Sequence, residues 1–345
     1  MLGPYIHRID PILADVGGLH VWWYGLSYAL GFLELHWFVR RARHRLGLTL
    51  PEVYSLSLLF MVGVLVGGRA VEVAFDEWPF YSRHAGLIPA YWLGGMASHG
   101  LMLGAVASIA LFSALYGKPF RTIADEVVIP GAFLLGVGRI GNFIDGQIVG
   151  RVTDVWWAVQ FPDAPGFRHP VVLYDGAKNL LLIPLLLWIR RRDRRVPGEV
   201  AAHFVFWYSV LRILVDLFRE YPTHRLAYGT GMSLNMLASL LGVVLLVRVA
   251  LKRRRGLFVE PAGHAPRPAA APDRLGLALK RAAFVFLLVF SLTVPSNWTQ
   301  DVPARYGKRH AGLQHSLLYP RIDTAPPVRS ARIQANLAGD DRRVP

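Results

Sequence analysis

The stretch YSLSLLFMVGVLVGGRAVEVAF, residues 54–75, decides the fold. A bilayer-crossing helix needs about 20 mostly apolar residues, and this run supplies them, with Arg69 and Glu72 as its charges. Working outward, the same criterion marks runs at 20–39, 92–116, 123–143, 172–189, 199–218 and 232–250, and a short eighth at 281–295 that ends at Pro295. The expected fold class is therefore all-α: a polytopic integral membrane protein of about seven transmembrane helices plus the short eighth. Composition agrees. Of 345 residues, 53% are hydrophobic and 18% charged, whereas a soluble domain carries nearer a quarter charged residues. The formal charge of +15 could point to nucleic acid, but that needs a basic face on a folded domain. Here the charge falls in short clusters between apolar runs, so no nucleic-acid partner is expected.

The first run follows a polar stretch containing Asp10 and Asp15, and its basic cluster comes after the apolar segment. It reads as a retained anchor rather than a cleaved leader. Arg40, Arg41, Arg43 and Arg45 follow the first run, Lys118 and Arg121 the third, Arg190 to Arg195 the fifth, and Lys252 to Arg255 the seventh. Every second loop is basic, which predicts that these loops face the cytoplasm and the N-terminus faces out. Residues 1–255 form the transmembrane domain, 256–280 a Pro/Ala-rich basic linker, 281–295 the eighth run and 296–345 a polar tail. No internal repeat supports an inverted-repeat transporter.

Charges inside membrane runs cost roughly 2.5 to 3.5 kcal/mol for Arg on insertion scales, which makes them functional hypotheses. Arg69, Arg139 and Arg212 stand out. Arg212, Asp216 and Arg219 share a helical face at i, i+4, i+7; the plainer alternative is that Arg212 and Asp216 neutralise one another in a bundle core. Arg69 could equally snorkel outward along its stem. The segment GVGRIGNFIDGQIVGR at 136–151 combines close-approach glycines with Arg139 and Asn142, and Arg139 offers a planar fork to a phosphate. Helix packing alone would account for Gly138 and Gly141, but not for the Arg and the Asn. His99, in GGMASHG at 94–100, is either an interfacial hydrogen-bonding residue or a base on the same side as Arg139. No second His or carboxylate lies at ligand spacing on that segment, so no metal is expected, and no cofactor motif is present. The Trp and Tyr residues at 22–24 and 156–157 read mainly as an interfacial aromatic belt.

With these residues in place, the chain resembles the prolipoprotein diacylglyceryl transferase family over about 18–255. GRIGNFIDGQIVGR at 138–151 is similar to the family signature. WYGLSYALGF (23–32), GGR (67–69), GGMASHG (94–100), Asp125, RHPVVLYD (168–175) and YSVLRILVDLFR (208–219) follow in the expected order. The resemblance implies transfer of the diacylglyceryl group from phosphatidylglycerol to the thiol of a prolipoprotein lipobox cysteine, with release of glycerol phosphate, in the bacterial inner membrane near the outer leaflet. It implies that Arg139 and Asn142, with Arg69, Gly141 and Asp216, bind phosphatidylglycerol, and that Arg212, His99 and Tyr24 serve catalysis. The absence of cysteine then means that the thiol arrives on the partner. Asp145 and Gln147 stand where the family usually has Asn and Glu, and Asp175 and Asp216 where Glu is usual. Gln147 cannot hold or balance a proton as a carboxylate does. That leaves open a second reading, a membrane homologue that binds lipid or protein without transfer.

Overall fold

The computed structural model describes residues 4–220, 229–258, 274–296 and 301–322. Helices occupy all seven main runs: α1 (Trp23–Ala42), α2 (Leu50–Val71), α4 (Ser98–Tyr116), α5 (Phe120–Ile144), α6 (Val171–Arg190), α7 (Glu199–Asp216) and α8 (Gly229–Arg254). A one-turn α3 (Trp78–Tyr81) interrupts the loop after α2, and α9 (Arg274–Ser291) and α10 (Val302–Tyr306) follow α8. Short strands lie at β1 (Tyr5–Ile6), β2 (Ile12–Val16), β3 (Leu19–Trp22), β4 (Val159–Gln160) and β5 (Phe167–Arg168). β2 and β3 form an antiparallel hairpin, while β4 pairs parallel with β1 and antiparallel with β5.

Among the described residues, five segments are long and apolar enough to cross a membrane: Leu50–Asp76, Ser98–Tyr116, Phe120–Ile144, Val171–Arg190 and Ser233–Arg254. α1 and α7 fall outside that group: α1 is diluted by Trp, Tyr, Gly and His beside Glu34 and Arg40, and α7 carries Glu199, Arg212 and Asp216. Both are held inside the bundle, α1 against α2, α5 and α9, and α7 between α6 and α8. Large apolar side chains instead face outward, such as Leu103 and Val106 on α4 and Leu237 and Leu240 on α8. Such a surface suits hydrocarbon, where helices must satisfy their own backbone groups.

Glycine spacing sets a close crossing of α2 and α4. Gly63 and Gly67 on α2 face Gly100 and Gly104 on α4. A Cβ on Gly67 would lie 2.9 Å from Gly104 Cα, and one on Gly104 would overlap the Gly63 carbonyl. Ser108 Oγ then donates across the seam to Leu59 O at 2.7 Å. Small residues four apart allow this approach where no hydrophobic force draws helices together. Gly104→Val should lower the thermal stability of the detergent-purified protein by about 1–3 kcal/mol or more, whereas Gly131→Ala, with nothing within 4 Å of the added methyl, should leave it unchanged. Equal melting temperatures for the two variants would contradict this packing.

One end of the bundle gathers the basic loops around buried carboxylates. Glu126 meets Arg190 Nε at 2.7 Å, Arg195 at 3.5 Å and Arg45 at 3.6 Å. Glu199 meets Arg253 at 2.6 Å and Arg192 at 3.3 Å. Asp125 caps α7, accepting from Gly198 N and Ala201 N at 2.8 and 2.9 Å. Lys118 reaches Glu52 at 3.5 Å, and Glu52 closes a capping box with Thr49 at the start of α2.

α9 runs back from this basic end. Lys280 Nζ near its start donates to Ser55 Oγ at 2.8 Å, and Phe284 packs on His36. At its far end Leu292 O accepts from Trp22 N at 3.0 Å, and Gly25 leaves the space that this contact fills. The helix begins at Arg274, within the segment read as linker, and ends at Ser291. Beyond it, Val302, Tyr306 and Tyr319 bury against Ile12, Trp22, Ala90 and Leu93 in a second small core at the end opposite the basic loops.

Candidate functional site

The site is built where α5, α6 and α7 pack, toward the end away from the basic loops. Arg139 on α5 places Nε 2.6 Å from Asp175 Oδ2 on α6. Arg212 on α7 places a terminal nitrogen 3.8 Å from the same oxygen and 2.9 Å from Asp216 Oδ1, one turn along its own helix. Lys178 on α6 reaches the other Asp175 oxygen at 3.1 Å, donates to Asn179 Oδ1 at 2.6 Å and lies over the Tyr208 ring at 3.9 Å. Asn235 on α8 adds a hydrogen bond to Asp216 at 3.3 Å. These five charged residues, all buried, comprise three cations and two carboxylates. Summed over these five residues the charge is +1, opposite in sign to that of a phosphodiester. Asp175 joins three cations on three helices, an arrangement that is costly to desolvate and stable only while the partners remain together.

The terminal nitrogens of Arg139 point to Asn142 Oδ1 at 3.1 Å and Ser98 Oγ at 3.2 Å. Ser98 opens α4, so His99 lies beside the clasp, close enough for the charges of Arg212, Arg219 and Arg139 to act on its ring. His99 is half-buried, and among the described residues no hydrogen bond holds its ring. The structure thus brings Arg139 and Asn142 of α5, Arg212 and Asp216 of α7 and His99 of α4 together, three groups that the linear sequence leaves unrelated in space.

Gly141 and Tyr24 meet one layer away. A Cβ on Gly141 would sit 2.7 Å from Tyr24 Cα, so this glycine sets the α1–α5 approach. The Tyr24 hydroxyl shares a 3.0 Å hydrogen bond with Tyr28 and is buried. Arg69 stands apart from the clasp. Its Nε donates to Ile88 O at 2.8 Å, and its terminal nitrogens donate to the carbonyls of Leu87, Ala90, Gly94 and Gly95. Its guanidinium also lies against the Tyr81 and Tyr91 rings, 4.9 and 5.6 Å from their centroids. Arg69 therefore organises the loop that leads into His99, a role different from snorkelling.

The remaining motifs hold the signature in place. Gly150 N donates to His169 O at 3.1 Å and Arg151 N to Phe218 O at 2.9 Å, which ties 146–152 to RHPVVLYD and to the end of α7. Buried Arg168 donates to Pro165 O and Gly150 O and pairs with Glu220. Ile148 holds φ 58°, a left-handed conformation that a β-branched residue rarely adopts. Strain of this kind persists only where surrounding bonds impose it. Beside it, Gln147 N bonds to Asn142 O at 3.0 Å, while its buried side-chain nitrogen has no hydrogen bond among the described residues. Burial holds the Asp145 carboxyl above its usual range, against the opposing pull of Arg309. Lys178 and Ser98 were absent from the residues singled out by sequence. For Lys178 the signal was there, since a Lys three residues after an Asp within an apolar run is as exceptional as the arginines.

A family model described as "Prolipoprotein diacylglyceryl transferase" matches residues 11–251. Similar proteins carry the name "Phosphatidylglycerol--prolipoprotein diacylglyceryl transferase". That of Aliivibrio fischeri (strain ATCC 700601 / ES114) is 36% identical over 253 residues, covering 71% of this chain and 91% of the relative. That of Mannheimia succiniciproducens is 36% identical over 258 residues, with 72% and 95% covered. That of Geobacter sulfurreducens is 35% identical over 254 residues, with 71% and 97% covered. The matched region carries the whole Arg139–Asp175–Arg212 clasp and the His99 turn, and the chain belongs to the prolipoprotein diacylglyceryl transferase family.

Proposed function

We propose that this chain transfers the diacylglyceryl group of phosphatidylglycerol to the thiol of a prolipoprotein lipobox cysteine, releasing glycerol phosphate. The observation that carries this reading is the buried clasp in which Asp175 holds Arg139 and Arg212 side by side. Arg139, fixed through Nε, offers its terminal nitrogens with Asn142 to the headgroup phosphate. Arg212, oriented by Asp216, faces the charge that develops as that phosphate leaves. The glycerol carbon forms a bond to sulfur as its bond to the phosphate oxygen breaks, and the electron pair of that bond departs with glycerol phosphate. His99 takes the thiol proton. A free thiol has a pKa of about 8.5, so a neighbouring base raises the fraction of thiolate.

Tyr24 and Gly141 shape the α1 wall of the site, and Arg69 sets the loop before His99. The basic loops favour the cytoplasmic side by the positive-inside rule. On that orientation the N-terminus is extracytoplasmic and the site opens near the outer leaflet of the inner membrane. Membrane lipid then reaches it laterally and the acceptor peptide reaches it from outside. His99→Ala and His99→Gln should lower transfer from phosphatidylglycerol vesicles to a lipobox peptide by about 10²–10⁴-fold, with lipid binding retained. Turnover at the wild-type rate in both variants would remove His99 from the chemistry.

A further inference from the structure

We propose that the C-terminal extension completes the headgroup site, with Ser296 acting as a positioning residue for Asn142. The family model ends at residue 251, so α9 and the tail lie beyond it. α9 nevertheless returns the chain to the end of the bundle where the signature lies, and it sets Ser296 on the last turn of α5. Asn142 Nδ2 donates to Ser296 Oγ at 2.8 Å. An amide has one acceptor end and one donor end. With one of its two Nδ2 hydrogens on Ser296, Asn142 presents Oδ1 to Arg139, 3.1 Å away, and keeps the second hydrogen for the headgroup.

Ser296 is itself held. Its backbone N donates to Asp145 Oδ2 at 3.1 Å. Asp145 is buried beside Tyr306 and within the fields of Arg309 and Arg305, all three from the tail. Arg309 further donates to the carbonyls of Ile9, Ile144 and Asp145 at 2.8 to 2.9 Å, clamping tail, N-terminal segment and α5 together. Tyr319 adds a stack on His20, with centroids 4.3 Å apart, and its hydroxyl accepts from His20 N at 3.0 Å. The extension is thus bonded to the residues that bound the clasp, and among the described residues Ser296 is its side-chain contact to the headgroup pair.

This inference rests on the reading of Arg139 and Asn142 as headgroup ligands. It is tested in the full chain with Ser296→Ala, Ser296→Thr, Ser296→Val, Asn142→Ala and the double variant Ser296→Ala/Asn142→Ala. Two readouts are taken: kcat and KM for phosphatidylglycerol in transfer, and Kd for phosphatidylglycerol in nanodiscs against a phosphatidylcholine control. Ser296→Ala and Ser296→Val should raise KM and Kd about 5–10-fold while kcat changes less than about twofold. Ser296→Thr, the same shape as Val with the hydroxyl kept, should stay within about twofold of wild type, and the double variant should match Asn142→Ala. Equal behaviour of the Thr and Val variants, or effects of Ser296 and Asn142 that multiply, would overturn the proposal. If the wild type binds phosphatidylglycerol but forms no thioether, the transferase reading fails, and the Kd series still decides the role of Ser296.

Discussion

Arg139→Ala, inserted in membranes at wild-type level, should lose about two to three orders of magnitude in diacylglyceryl transfer, the size of effect that follows removal of one preorganised donor from a developing anion. Three bonds make the expectation specific. Nε is tied to Asp175 at 2.6 Å, so the guanidinium plane is set before lipid arrives, and the terminal nitrogens are aimed at Asn142 and Ser98. Arg139→Lys keeps the charge but has no fork to span Asp175 and the phosphate, so it should recover only part of the rate. Labelled phosphatidylglycerol and a lipobox peptide measure both variants. A fully active Arg139→Lys would show that charge alone suffices and that the fork is dispensable.

Asp175→Asn should have the largest effect on stability. The carboxylate is the common partner of Arg139, Lys178 and Arg212 and is almost wholly buried. Neutralising it leaves three cations facing one another with Asp216 as the remaining carboxylate of the cluster. Breaking a buried ion pair on one side costs about 3–5 kcal/mol. The expected result is a markedly lower melting temperature in detergent and reduced yield in membranes. Adding Lys178→Met to Asp175→Asn should restore part of the loss, because one of the stranded cations is removed. A double variant less stable than Asp175→Asn alone would contradict the shared-partner arrangement.

The helices were legible because the apolar runs are long and the basic clusters punctuate them, so α2, α4, α5, α6 and α8 stand close to where the hydropathy places them. α1 and α7 were marked by the same apolar criterion, although Glu34 and the Arg212–Asp216 pair lower their hydropathy and are accommodated by packing. α9 illustrates a limit of the apolar criterion. Lys280 and Arg281 interrupt the apolar pattern, so the run is read from 281, whereas Lys280 is tied to Ser55 and the helix starts at Arg274.

In the site, Arg139, Arg212, Asp216 and Asn142 were readable as polar groups in costly places. The convergence of Arg139 and Arg212 on Asp175 was not, because it depends on how three helices cross. Arg69 shows the opposite case: its charge was conspicuous, but its bonds go to carbonyls 18 to 26 residues later in the chain, which no local pattern announces. The tail was least legible of all. Ser296, Arg309 and Tyr319 carry no periodicity, and their positions come from docking against residues about 150 to 300 positions earlier.

The central claim is that the Arg139–Asp175–Arg212 clasp serves thioether formation from phosphatidylglycerol. The most direct measurement is mass spectrometry of a lipobox peptide incubated with the purified full chain and phosphatidylglycerol of defined acyl chains. The expected result is a peptide heavier by one diacylglyceryl group, with equimolar glycerol phosphate, and no product from a peptide whose cysteine is replaced by serine. Binding of phosphatidylglycerol by a folded protein that never modifies the cysteine would contradict it.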